Sequence, residues 1–266
     1  KRLFWRRGLR LVVTAHGGDF YARLPGAGWL MRWCMRQADV LTVVSHAMKQ
    51  QAVAWGVPEA RIVVASMGVD TLRFCPPPAG SGRRDIVFVG RLVEKKGVTH
   101  LLSAFARLLQ GQPGLRLRIV GDGPLRPALE QQAQAAGISA AVTFLGARPP
   151  AEIPAVFQQA ALFVMPSVVD SVGDREGLGL VLAEAMACGC PVVAHELDAV
   201  KDLVLQEETG LLVAQGDHVA LAASMERLLG DEALRRRLAE TALQRVRDLY
   251  AWPVVAARYR RVYDGA

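Results

Sequence analysis

The sequence predicts an α/β protein built from two doubly wound units around parallel sheets, the first of them incomplete. Three observations lead there. Short apolar, β-branched runs alternate with longer amphipathic ones almost from the first residue, which is how βαβ units around a parallel sheet read. A stretch without periodicity, Phe74-Cys75-Pro76-Pro77-Pro78-Ala79-Gly80-Ser81-Gly82, interrupts that alternation once, and such Pro/Gly/Ser segments mark domain boundaries. The 266 residues, about half of them apolar, supply enough material for two cores.

Before the interruption, Leu9 to Ala15 reads as a strand that stops at His16-Gly17-Gly18-Asp19. Leu30 to Gln37 follows as a helix, Val40 to Ser45 as a strand, Ala47 to Trp55 as a helix and Ile62 to Ala65 as a strand. Three parallel strands covered on both faces make a poor independent sheet, so this half is expected to be incomplete. After the interruption the strands are Asp85 to Gly90, Leu115 to Gly121, Val142 to Leu145, Leu162 to Met165, Pro191 to Ala194 and Gly210 to Val213. The helices between them are Val98 to Leu109, Leu125 to Ala136, Ala151 to Gln159 and the apolar stretch that ends at Gly189. Three more close the chain, Val219 to Leu229, Ala233 to Leu249 and, after Pro253, Val254 to Tyr263. The expected division is residues 1–80, 81–249 and a final helix, 250–266, returning to the first unit.

Charge and cysteine usage narrow the partners. The net charge of +7 is gathered in Lys1 to Arg10, Arg235 to Arg247 and Arg258 to Arg261, mostly at helical spacing, so solvated helix faces are the default and a peripheral membrane contact the lesser reading. No Arg/Lys-aromatic module of an RNA-binding kind is present, and no nucleic-acid partner is expected. Cys188-x-Cys190 has the wrong spacing for a redox pair, and Cys34 and Cys75 lack zinc partners. Four reduced cysteines fit a cytoplasmic compartment. No apolar run approaches the ~20 residues that span a bilayer, and the start carries no signal-peptide pattern.

The chemistry is concentrated in Glu176 to Gly189. From Leu180 to Ala194 everything is apolar, Gly or Pro except Glu184. A helix apolar all round is buried, and a carboxylate there is costly without a partner or ligand. Gly177 and Gly179, just before the helix, allow close approach where free N–H groups attract phosphates. A sheet-packing helix whose one acid meets a structural Arg fits these residues equally well. Gly90-Arg91-Leu92-Val93-Glu94-Lys95-Lys96-Gly97 sits where a strand ends and a helix starts, and Arg91 and Lys96 there suit a diphosphate; a charged loop that meets only water is the alternative. Gly121-Asp122-Gly123-Pro124 is a weak dinucleotide fingerprint, with Arg126 where the third glycine belongs, but a reasonable tight turn near a ligand. His16 stands at a strand's carboxyl end, placed either for a cleft or for a helix cap. His46, His100, His195 and His218 are scattered without metal-ligand spacing, and neither a serine-hydrolase elbow nor a P-loop is present.

Together these segments resemble family 4 of the retaining glycosyltransferases, the glycogen-synthase-like group with GT-B architecture, that is, two Rossmann-like domains. The matching pieces occur in the family's order: His16 to Asp19, Gly68-Val69-Asp70 with Phe74 and Pro76, Phe88 to Leu92 through Lys96-Gly97, Gly121 to Pro124, Phe144-Leu145-Gly146, and the Glu-x7-Glu signature of Glu176 and Glu184. The resemblance implies transfer of a sugar from a nucleotide-diphosphate donor to a glycan, lipid-linked or small-molecule acceptor, with the α configuration retained. In that scheme Arg91 and Lys96 hold the diphosphate, Glu176 faces the donor sugar's hydroxyls or its phosphate-side neighbourhood, and Glu184 grips the ribose. Backbone N–H groups of Gly177, Leu178, Gly179 and Leu180 add to the phosphate site beside Gly90 and Gly121. The edge after Gly146, near Arg148, receives the base, and His16 touches the sugar from the opposite domain. No metal or other cofactor is implied, the nucleotide sugar being a co-substrate.

Two departures from the family accompany the resemblance. The resemblance leads to the expectation that the first domain, as given from Lys1, lacks the strand, glycine-rich loop and further chain that complete it in the family, and Glu196-Leu197-Asp198-Ala199 with Asp202 replaces a Gly-Gly turn followed by Glu. A non-catalytic nucleotide-sugar-binding module that needs a partner chain is therefore the alternative. A nicotinamide-dependent oxidoreductase rests only on the broken Gly-x-Gly. The basic start with Trp5, Trp29 and Trp33 permits a lipid-linked acceptor at the inner face of a membrane.

Overall fold

The computed structural model describes residues 10–21, 28–78, 82–83 and 85–265, the side chain of Asp19 excepted. Trp5, Leu9, the basic residues before Arg10 and linker positions 79–81 lie outside them. Within them the chain forms a three-stranded and a six-stranded sheet, both wholly parallel.

The first sheet runs β1 (Val12–Ala15), β2 (Val40–Val43) and β3 (Ile62–Val64) side by side. Helices α1 (Gly17–Tyr21), α2 (Gly28–Gln37) and α3 (His46–Ala54) connect the strands. α1 begins where the sequence reads a glycine turn; its five residues are held by packing, with the Phe20 ring stacked 4.7 Å from that of Trp55. β2 is apolar but for Thr42 and buried along its length, as a strand covered on both faces must be. Thr42 Oγ1 donates to Thr14 Oγ1 at 2.8 Å, so the buried Thr42 hydroxyl is satisfied.

The second sheet contains β4 (Asp85–Val89), β5 (Leu117–Val120), β6 (Val142–Gly146), β7 (Ala160–Met165), β8 (Val192–His195) and β9 (Leu211–Val213). All six strands read from the sequence after the linker are found. Their spatial order is β6-β5-β4-β7-β8-β9, the doubly wound order in which chain direction across the sheet reverses between the first and fourth strands. Helices α4 (Val98–Gly111), α5 (Arg126–Ala135) and α8 (His218–Gly230) cover one face, where Leu101, Phe105, Leu129 and Leu221 pack on Phe88, Ile119 and Val193. Helices α6 (Ile153–Gln159), α7 (Leu180–Ala187) and α9 (Glu232–Leu249) cover the other, and that core continues through Leu41 and Met48 into the first sheet. The apolar side chains of the two sheets thus join in one cluster.

Ends of helices are fixed by the residues that favour them. Ser45 accepts from the N–H of Met48 at the start of α3, Asp217 from Val219 and Ala220 at α8, and Asp231 from Leu234 at α9. α10 (Trp252–Asp264), preceded by Ala251 and carrying Pro253 in its first turn, leaves the second unit and meets the first. Val69 and Ala251 form a parallel bridge, Tyr259 Oη donates to the Ala65 carbonyl at 3.1 Å, and Arg10 Nη1 donates to the Val262 carbonyl at 2.8 Å. Gly68 permits this crossing, because a Cβ there would lie 2.6 Å from the Trp252 ring.

Candidate active site

The strand order fixes where a ligand can sit. β4 and β7 are neighbours whose connections leave in opposite directions across the sheet, which opens a crevice beyond their carboxyl ends. The segments entering that crevice are 90–97 and 166–179. Of the donor residues named from the sequence, Gly90, Arg91, Lys96, Glu176, Gly177, Leu178 and Gly179 lie on these two segments, whereas Gly121, Gly146, Arg148, Leu180 and Glu184 lie outside them.

Segment 90–97 is positioned by glycines on the neighbouring turn. Gly121 has φ +134°, and a Cβ on it would fall 1.8 Å from the Gly90 carbonyl oxygen. A Cβ on Gly123 would meet the Leu92 carbonyl oxygen at 2.5 Å, while Leu92 N donates to the Asp122 carbonyl at 2.9 Å. The Gly-x-Gly turn therefore seats the loop that carries Arg91. The backbone it approaches belongs to the protein itself, so the turn needs no third glycine.

Three consecutive side chains then latch this loop to the segment after β7. Glu94 accepts from Ser171 N at 2.8 Å and from Ser171 Oγ at 2.7 Å. Lys95 Nζ reaches Asp174 at 2.9 Å, and Lys96 Nζ reaches Glu176 Oε1 at 2.7 Å. Ser167 Oγ donates to the same Glu176 oxygen at 3.4 Å. The Lys96 and Glu176 side chains are only 15% and 10% exposed, which makes their pair far less screened than one at the surface. Arg91 is exposed and makes no ion pair among the described residues. Of the two cations that the resemblance assigns to a diphosphate, one is held by the site's own acid and the other has no ion pair among the described residues.

Beyond Glu176 the chain meets the first unit backbone to backbone. A Cβ on Gly177 would lie 2.7 Å from Gly17 Cα, and one on Gly17 would lie 3.0 Å from Gly177 Cα. His16, exposed, thus stands one residue from this junction. Leu178 is buried, and Gly179 takes φ +82° against Met165 before α7 starts. Unlike α3, α8 and α9, α7 has no side-chain cap, and its first N–H groups keep their capacity to meet an anion. Glu184, in the second turn of α7, has no ion pair or side-chain hydrogen bond to a described residue. Burial pushes its carboxyl up from 4.5 to about 7, opposed by the Arg73 charge.

Sequence reasoning missed part of the junction. Arg175 lies over the Tyr21 ring, 4.8 Å from its centroid, and its Nε is buried without a partner among the described residues. With Tyr21, Gln50, Glu176, Asp198 and Gln215 it lines a cleft of about 320 Å³ between the two units. The segment that departs from the family pattern, Glu196 to Ala199, forms one wall of this cleft. The position of Arg175, directly before Glu176, was the one available signal. Other assigned residues lie farther out: Gly146, at φ +71°, accepts from Gly121 N at 2.9 Å, and Arg148 is exposed beside Glu152 at 3.7 Å. His100 and His195 meet edge to face at 5.7 Å; burial lowers the His195 ring to about 4. Among the described residues no group of three or more His, Cys, Asp or Glu could hold a metal ion, and all four cysteines are free.

A doubly wound parallel sheet whose switch point opens toward a second parallel sheet, with cations and an uncapped helix at the junction, defines the GT-B glycosyltransferase architecture. Solved structures agree. Sucrose-phosphate synthase from Thermosynechococcus elongatus is 26% identical and superimposes with a TM-score of 0.81 over 100% of this chain and 71% of that one. HepE of Anabaena, in complex with UDP-glucose, shares the fold at 20% identity and TM-score 0.85, over 99% of this chain and 74% of that one. Residues 76–245 match the family described as glycosyl transferases group 1, and residues 1–73 match glycosyltransferase family 4. The chain belongs to the group 1 glycosyl transferases. A GDP-mannose-dependent α-(1-6)-phosphatidylinositol monomannoside mannosyltransferase of Mycolicibacterium smegmatis is 32% identical over 96% of this chain and 70% of its own length. A glycogen synthase of Mycobacterium tuberculosis is 32% identical over 88% of this chain, which spans only 56% of that enzyme.

Proposed function

We propose that the protein transfers a sugar from a nucleotide-diphosphate sugar to an acceptor with retention of the anomeric configuration. The observation that carries this reading is the meeting, beyond β4 and β7, of the loop with Arg91 and Lys96 and the segment with Glu176 that leads into the uncapped start of α7; Glu184 follows within that helix, without an ion pair among the described residues. Departure of a diphosphate places negative charge where fixed cations and helix N–H groups stabilise it most. Lys96 spends one donor on Glu176 and keeps two for phosphate oxygens. Arg91 can close on the remaining oxygens as a planar fork. Glu176, oriented by Lys96 and Ser167, faces the sugar, with His16 opposite it across the Gly17–Gly177 contact. Glu184 accepts the ribose hydroxyls, which supply the hydrogen bonds its burial withholds. Gly146 and Arg148 border the base, and no step is routed through a metal.

The relatives' names, one GDP-mannose-dependent and one structure holding UDP-glucose, support a nucleotide-diphosphate sugar as donor. A glycan or lipid-linked acceptor fits the cleft at Arg175. The lipid-linked form is supported by α2, which exposes Trp29, Leu30 and Trp33 beside Arg32 and Arg36, an arrangement suited to the inner face of a membrane. No helix among the described residues is long and apolar enough to cross one.

A thermal-shift panel of uridine, guanosine and adenosine diphosphate sugars tests the donor, since ligand binding stabilises the folded chain by mass action. Proton NMR of the released or transferred sugar then reads the anomer. Stabilisation by one nucleotide series with α product from an α donor is expected. Inverted product would end the retention reading, and binding without hydrolysis or transfer to any acceptor would make the chain a nucleotide-sugar-binding module.

A further inference from the structure

We propose a second anion site, for a phosphate monoester dianion, in a cavity of about 340 Å³ between the carboxyl edge of the first sheet and helices α9 and α10. It shares no residue with the donor crevice and does not depend on the transferase reading. Ser66, just after β3, retains 3% exposure, and its Oγ has no partner among the described residues. Arg245 of α9 is in the same position: its Nη2 donates to the Asp202 carbonyl at 2.8 Å, but its Nε is buried and unpartnered. Both line this cavity. Buried polar atoms are almost always satisfied, so two unsatisfied donors at one cavity point to a missing acceptor.

The charges around the cavity indicate what kind of acceptor. Arg258 of α10 also lines it and makes no ion pair or hydrogen bond among the described residues. Lys201 is engaged by Glu196 at 2.9 Å. The one acid in the lining, Asp202, is engaged by His46, which lines the same cavity: one oxygen takes the His46 N–H at 2.7 Å and the other meets His46 Nδ1 at 3.1 Å. Two guanidinium groups and a hydroxyl therefore present more donors than the lining has acceptors, the Tyr250 hydroxyl being the one that meets Arg245. A tetrahedral dianion has the oxygens and the charge for both arginines, whereas water supplies acceptors but no charge to balance Arg245 and Arg258. The volume leaves room for a small group attached to the phosphate. Because Ser66 belongs to the first unit, Arg245 to the second and Arg258 to the returning helix, an occupant ties all three together.

The test is a titration of the whole chain with inorganic phosphate, and in parallel with a hexose 6-phosphate, followed by thermal shift and calorimetry at constant ionic strength. Saturable stabilisation is expected. Arg258→Gln, which breaks no bond among the described residues, should weaken it about tenfold, and Ser66→Ala roughly three- to tenfold. Arg91→Ala, which disables the donor crevice, should leave it unchanged. If Arg258→Gln fails to fold, Ser66→Ala alone decides. Preference for the hexose phosphate assigns a sugar phosphate as the ligand, and equal affinity assigns free phosphate; both support the site. The proposal is overturned if no saturable response occurs, or if the response survives in Ser66→Ala and Arg258→Gln but disappears in Arg91→Ala.

Discussion

Replacing Glu184 by Gln separates a residue kept for a ligand from one kept for the fold. The folded carboxyl binds its proton more tightly than the unfolded one, with a value of about 7 against 4.5. Between those values the folded chain holds more protons, so stability falls as pH rises through the window, and the penalty is complete above about 7. At about 1.36 kcal/mol for each factor of ten, the ceiling is ~3 kcal/mol. Glu184 is only half-buried, so solvent screening reduces this to roughly 1–3 kcal/mol. Glu184→Gln should therefore be more stable than wild type at pH 8, by a few degrees in Tm, and equal to it near pH 4. The same variant should bind a nucleotide diphosphate about tenfold more weakly, having lost a charged acceptor for the ribose. Urea denaturation at both pH values, with calorimetry of the nucleotide, reads these effects. A variant less stable at pH 8 would show that Glu184 has a structural cation, with Arg73 the nearest, and would restore the plain ion-pair explanation of the apolar helix.

Further substitutions probe the frame. Gly121→Ala puts a Cβ 1.8 Å from the Gly90 carbonyl oxygen at φ +134°; it should cost about 3 kcal/mol or more in denaturant and weaken donor binding by displacing the Arg91 loop. An unchanged denaturation midpoint would mean that the turn is not a seat. Arg83 donates to the carbonyls of Gly189 and Cys188 at 2.6 and 2.9 Å, closing the end of α7. Arg83→Met should lose about 1–3 kcal/mol of stability, and a neutral outcome would mean that water serves those carbonyls as well. Glu176→Gln should lower single-turnover transfer far more than donor affinity. An equal fall in both would place Glu176 in binding alone.

How much of this could be read beforehand follows from how local each feature is. The strands of the second sheet are short, mostly apolar runs that alternate with longer amphipathic ones, and that alternation in length and pattern locates them. The isolation of Glu184 is equally visible, being the one acid in a long apolar stretch. Helix α1 is not, since a five-residue helix opening on Gly17-Gly18 has poor propensity and forms because Phe20 and Tyr21 pack against Trp55 and Arg175. Nor could the sequence give the latch of Glu94, Lys95 and Lys96 on Ser171, Asp174 and Glu176, whose partners are about 80 positions apart and meet only once β4 and β7 are neighbours. It assigned Lys96 and Glu176 separate roles at the donor. It could not show that Glu176 already holds that lysine, which links the two assigned roles in a single ion pair.

The claim that this pair and Arg91 form the diphosphate site is tested most directly by calorimetry of the preferred nucleotide-diphosphate sugar with wild type, Lys96→Ala and Arg91→Ala, each checked for folding. Loss of two or more charge-assisted bonds should weaken binding by a factor on the order of 30 or more in each variant. Wild-type affinity in both would contradict the donor-site assignment and the account built on it.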